Sequence, residues 1–161
     1  MGWTNFPSWS VNQILTAANL NTYIRDNGNW DHNLGTLAYA EITSNQTGIT
    51  SPTTITGLTV APTIVAGRRI KITVFAPAMG ALATADAYTA SLYEGTTLLQ
   101  QVTPVSTAPM IGDVNFIWVG TPSGGVHTYH VEGNHTVGAT AGTWYASSTA
   151  RSFVLVEDIG V

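Results

Sequence analysis

The stretch Arg68 to Phe75 alternates strictly, with Ile70, Ile72 and Val74 pointing one way and Arg69, Lys71 and Thr73 the other. A period of two is the signature of a β-strand with one buried face and one wet face. Similar short, turn-bounded runs recur from residue 37 onwards. Leu37 to Ile42 predicts a first strand, Asn45-Gln46-Thr47-Gly48 a turn, and Thr53 to Val65 a strand pair punctuated by Gly57 and Pro62. Tyr88 to Glu94 and Thr97 to Val102 read as a hairpin about Gly95. Asp113 to Val119, Val126 to Glu132, Thr143 to Ala146 and Arg151 to Asp158 bring the count to about nine strands. Loops are expected at Ala76 to Asp86, Pro104 to Gly112 and Pro122 to Gly125. Many short strands without intervening helices predict a mainly β fold, an antiparallel jelly-roll-like β-sandwich.

The closing run Phe153-Val154-Leu155-Val156 is apolar on both faces, as a strand inside a sandwich or at a subunit interface would be. Phe153 and Leu155 are therefore the expected oligomer contacts.

One helix is predicted, between Leu15 and Asn27. Thr16 suits its N-cap, and Leu20, Tyr23, Ile24 and Asn27 fall on one face. A helix of about 11 residues is marginal alone in water, so it must lie against something. Before it, Trp3, Phe6 and Trp9 punctuate an extended arm of small and polar residues. Gly28 and Trp30 follow it. Large aromatics dominate interfaces. Trp3, Phe6, Trp9, Leu20, Tyr23, Ile24 and Trp30 are thus the candidate partner-binding residues. Two parts are expected: residues 1–36 for attachment or oligomerisation, and a β-sandwich over residues 37–161.

Charged residues make up 9% of the chain, against about 25% in an average soluble domain. The net charge is −4, which argues against nucleic acid or an anionic membrane as partner. The cluster Arg68-Arg69-x-Lys71 reads as the solvated face of a strand. No cysteine is present, so disulfides and thiolate metal sites are excluded and folding in a reducing cytoplasm is allowed. No Sec-type signal or membrane span is expected, because no basic segment precedes an apolar core and no 18 apolar residues run together.

His127, His130 and Glu132 stand close enough in the sequence to be candidate metal ligands. On one regular strand His127 and His130 would face opposite ways, leaving only His130 with Glu132 on a shared face. No metal and no cofactor are expected. Adjacent Glu157 and Asp158 face opposite ways as well. The chain has no Gly-x-Ser-x-Gly elbow, phosphate-cradling loop, calcium loop or His-Glu-x-x-His helix, so an enzyme is not expected. A glycan site would need an exposed aromatic beside acids or amides near the loops at 76–87, 104–112 and 120–125. Tyr88, Trp144 and Tyr145 are the candidates, each better suited to the core.

The segment Ile14-Leu15-Thr16-Ala17-Ala18-Asn19-Leu20-Asn21-Thr22-Tyr23-Ile24-Arg25-Asp26-Asn27, with Trp30 and Leu34 after it, resembles a motif near the N-termini of tailed-bacteriophage virion proteins. The ending from Phe153 to Gly160 is similar to endings of their β-rich domains. The resemblance implies a capsid decoration, head-fibre or minor tail protein, placed on the virion and assembled in the host cytoplasm. It also implies a homotrimer, with the major capsid protein or another virion protein as partner; the alternative is a minor tail or receptor module whose distal loops bind a host surface glycan. The compact length suggests a small protrusion instead of a long fibre.

Overall fold

A computed structural model of the chain describes residues 35–81, 86–103, 112–138 and 140–160. The chain divides into two units, Met1–Gly35 and Thr36–Val161. The expected arm and helix lie outside the described residues.

Twelve strands run through the described residues: β1 (Gly35–Ile42), β2 (Gln46–Ile49), β3 (Thr53–Val60), β4 (Thr63–Ile64), β5 (Arg69–Gly80), β6 (Ala87–Glu94), β7 (Thr97–Val102), β8 (Gly112–Gly120), β9 (Gly125–Val126), β10 (Tyr129–Val137), β11 (Gly142–Tyr145) and β12 (Ser152–Gly160). They form a mainly β, sandwich-like fold. Sheet A has the order β1-β12-β5-β11-β2, with β8 on the other edge of β5. Sheet B has the order β3-β10-β6-β7, and β4 pairs with β9. Every pairing whose register is described is antiparallel.

The alternation seen in the sequence sets the inner faces. Ile70, Ile72, Val74 and Ala76 of β5 are fully buried, as are Val154 and Val156 of β12 and Val114 of β8. They form one core with Ile55, Leu58, Tyr88, Leu92, Tyr129 and Val131 of sheet B, and with Trp144 of β11. Each large apolar side chain buried in this way contributes about 1.5–3 kcal/mol.

Three expectations about strand placement need correction. The predicted turn at residues 45–48 is strand from its second residue on, because Gln46 to Ile49 pairs with β11. The Gln46 side-chain amide then stands in for a missing ladder: its Nε2 donates to the Thr54 carbonyl at 3.1 Å, and its Oε1 accepts from Thr56 N–H at 2.8 Å. The loop predicted from Ala76 begins later, since β5 continues to Gly80 between β8 and β11. Pro77 is tolerated because it sits at a bulge, between Ala76 and Met79, where the ladder to β8 is interrupted. Finally, Val126 to Glu132 is not one strand. β9 ends at Val126 and β10 begins at Tyr129, so His127 lies in the connection.

Arg68 also departs from the reading of a solvated basic cluster. It shares its phase with Ile70 and Ile72 and is buried. Its Nε donates to both oxygens of Asp158, at 3.0 and 2.9 Å, and Asp158 Oδ1 also accepts from Gly160 N–H at 2.9 Å. Asp158 and Glu157 do face opposite ways, Glu157 pairing outside with Lys71 at 2.6 Å.

Candidate functional site

The outer face of sheet A is the most prominent candidate surface. Antiparallel register sets three rows across β12, β5 and β8: Phe153–Phe75–Asn115, Leu155–Thr73–Ile117 and Glu157–Lys71–Val119. Because residues opposite each other in a sheet share a face, the first two rows form an apolar band. Phe153 stands 5.5 Å from Phe75 and 5.9 Å from Tyr39 of β1, measured between ring centroids. Ile117 remains 54% exposed, Tyr39 50% and Val119 44%. Phe153 and Leu155, picked from the sequence, lie side by side in this band. Tyr39, Phe75, Ile117 and Val119 were missed, although the phase of each was readable. Phase alone did not reveal that β1 and β8 flank β12 and β5.

Ion pairs border the band. Tyr39 O–H donates to Glu41 Oε2 at 2.6 Å, and Arg151 Nη1 donates to both Glu41 oxygens, at 2.7 and 2.9 Å. The Tyr39 hydrogen bond, followed by Arg151, holds the Glu41 carboxyl below its ordinary range. The same hydrogen bond, then burial, pushes the Tyr39 phenol up.

The outer face of sheet B is mainly polar, with exposed Leu98 opposite Tyr93 as an apolar exception. His130 is directly opposite Tyr93 and stacks with it at 5.4 Å, while its Nε2 lies 3.3 Å from Glu132 Oε1. This is the same-face pair read from the sequence. Ser91 stands opposite both Glu132 and Gln101.

His127 makes a different contact. Its Nδ1 meets Glu94 Oε1, and its Nε2 is 2.9 Å from the Ser123 carbonyl and 3.5 Å from Ser123 Oγ. Ser123, His127 and Glu94 thus have the order of a nucleophile–base–acid array. The chemistry does not follow, because Nε2 must carry its hydrogen to donate to the carbonyl and then cannot accept one from Oγ. The contact ties the 120–128 connection to the β6–β7 turn, where Gly95 adopts φ +55° and its N–H reaches the Thr128 carbonyl at 3.1 Å.

The aromatics considered for a glycan are placed inside. Tyr88 and Trp144 are fully buried, and Tyr145 is half-buried. Tyr88 O–H donates to the Thr140 carbonyl at 2.8 Å. Burial, then the nearby Asp86 charge, pushes its phenol up. Among the described residues no group of three His, Asp or Glu side chains could hold a metal. Residues 82–85 and 104–111 of the distal loops, and Trp3, Phe6, Trp9, Leu20, Tyr23, Ile24 and Trp30, lie outside the described residues.

No family model and no curated protein matches the chain. Similar solved structures include the C-terminal domain of the sugar-binding protein EclA, at 12% identity and a TM-score of 0.42, covering 76% of this chain and 79% of that one. A carbohydrate-binding module of Cellvibrio mixtus lichenase 5A in complex with cellotriose matches at 11% identity and a TM-score of 0.39, covering 76% and 98%. The infectious bursal disease virus VP2 subviral particle matches at 14% identity and a TM-score of 0.39, covering 78% of this chain and 34% of that one. At such identities and scores, no activity passes from those proteins to this chain.

Proposed function

We propose that the chain is a structural protein of a tailed-phage particle, in which residues 1–36 dock it and the β-sandwich projects from the surface. The order of parts carries this reading: a segment resembling the N-terminal motif of virion proteins runs directly into an antiparallel sandwich. The role is that of a capsid decoration or short head-fibre protein, with the major capsid protein or another virion protein as partner. Copies associate, a homotrimer being the state the resemblance implies. The role is structural and not catalytic, and assembly takes place in the host cytoplasm. Deleting residues 1–36 is expected to leave a domain with β-type circular dichroism that is absent from purified particles. Recovery of that fragment on particles at normal copy number overturns the proposal.

A second reading, a receptor- or glycan-binding module, is favoured by one observation. The outer face of sheet B sets Tyr93, stacked with His130, beside Glu132 and Gln101, and an aromatic with acids and amides is the chemistry that recognises sugars. A glycan array probed with the full chain separates the two: binding lost in His130→Ala supports the second reading, and no binding supports the first.

A further inference from the structure

The apolar band of sheet A spans four strands and is bounded by charges whose arrangement identifies its partner. Two of its ion pairs are closed within the chain: Lys71 with Glu157 at 2.6 Å and Arg151 with Glu41 at 2.7 Å. Neither needs a countercharge from outside. Arg69 and Asp113 differ. Both are exposed on this face, and no ion pair is recorded for either among the described residues.

Their positions are symmetric. Thr73 of β5 stands opposite Ile117 of β8. Arg69 precedes Thr73 by four residues on β5, and Asp113 precedes Ile117 by four on β8. Because the strands are antiparallel, one charge lies about 13 Å to one side of the central row and the other about 13 Å to the opposite side.

We infer that this face binds a second copy of the chain across a two-fold axis that runs perpendicular to the strands, through the row Leu155–Thr73–Ile117. That operation reverses the strand direction and carries Asp113 of each copy to the end where Arg69 of the other stands. The two then lie about one strand spacing apart, roughly 4.8 Å sideways, within side-chain reach. Two identical ion pairs close at the ends, and Tyr39, Phe75, Phe153, Leu155, Ile117 and Val119 are covered between them. This is the self-complementarity that an isologous interface requires. Sheets packed face to face keep their strands within about 30° of alignment, which antiparallel copies satisfy. Four strands by eight residues give a flat area of about 500 Å². Side-chain relief raises the accessible area towards the 800 Å² or so per partner of a standard interface.

The inference shares with the proposed function only the association of copies, replaces the homotrimer that the resemblance implies with a two-fold dimer, and is independent of particle attachment. It is tested on the full chain by sedimentation equilibrium with Arg69→Glu, Asp113→Arg, the double reversal and Ile117→Lys. The wild type is expected to be a dimer. Each single reversal sets like charges against each other and is expected to weaken association at least ~10-fold. The double reversal is expected to restore it to within ~3-fold, a rescue that a merely structural effect would not produce. Ile117→Lys is expected to give a folded monomer by circular dichroism. A monomeric wild type, a trimer indifferent to the reversals, or a double variant no stronger than the singles overturns the inference. A dimer whose 1–36 deletion stays on particles instead overturns the proposed function and leaves this face intact.

Discussion

The outer faces of the two sheets obey the same alternation and have opposite needs. Beside one exposed apolar residue, Leu98, sheet B turns out Thr54, Thr59, Tyr93, Gln101, His130 and Glu132, groups that close hydrogen bonds with one another or with water. Sheet A turns out Tyr39, Phe75, Phe153, Leu155, Ile117 and Val119, groups that gain only by being covered. Alternation decides which side chains leave the core. Residue chemistry then decides whether their face is finished on its own.

The sharpest way to break this contrast lies within one strand, where Glu157 and Asp158 separate the outer from the inner side of sheet A. Asp158→Ala leaves the buried Arg68 guanidinium without its bidentate carboxylate and is expected to cost about 3–5 kcal/mol. Glu157→Ala removes a half-exposed partner of Lys71 and is expected to cost under ~1 kcal/mol. Urea unfolding midpoints measure both. Equal losses would mean that the inner and outer sides of β12 are not distinct.

A smaller effect probes how tightly the inside is filled. At Gly142 an added Cβ would stand 2.3 Å from a ring carbon of Tyr88. That ring is fully buried and anchored through its hydroxyl to Thr140, so it has little freedom to give way. Gly142→Ala is expected to cost about 1–3 kcal/mol by overpacking. Ile117→Thr, on the outer side, is expected to change monomer stability by no more than ~0.5 kcal/mol, while reducing the binding of a fluorescent apolar dye. Equal thermal shifts for the two variants would erase the distinction.

Much of this was legible in the sequence wherever a strand kept its phase. Ile70, Ile72 and Val74 were assigned inward, the β6–β7 hairpin was placed at Gly95, and His130 was matched with Glu132, because each depends only on local period and spacing. Arg68 was equally readable by phase, but charge drew it to the surface in the sequence reading, against a pairing with Asp158 that spans 90 positions. Two further features were out of reach. Gln46 acts as a ladder through its side chain, which no backbone propensity encodes. The apolar band depends on β1, β12, β5 and β8 being neighbours, a consequence of topology and not of any one segment.

The smallest expected effect tests the polar rim of the sheet A face. Glu41, held below its ordinary carboxyl range by Tyr39 and Arg151, favours the folded cluster above that range and loses its contribution as pH falls through its depressed pKa. Tyr39, raised by its hydrogen bond to Glu41, contributes below the ordinary phenol range and loses that contribution as pH rises through its elevated pKa. The two directions leave the cluster complete between roughly pH 5 and pH 10. Ring-proton NMR shifts of Tyr39 are expected to stay flat across this window and to move at both ends. In Glu41→Gln the acid-side movement is expected to vanish, while the alkaline step moves to lower pH because the carboxylate that held the phenol proton is gone. An unchanged acid step in that variant would show that Glu41 does not hold the Tyr39 hydroxyl.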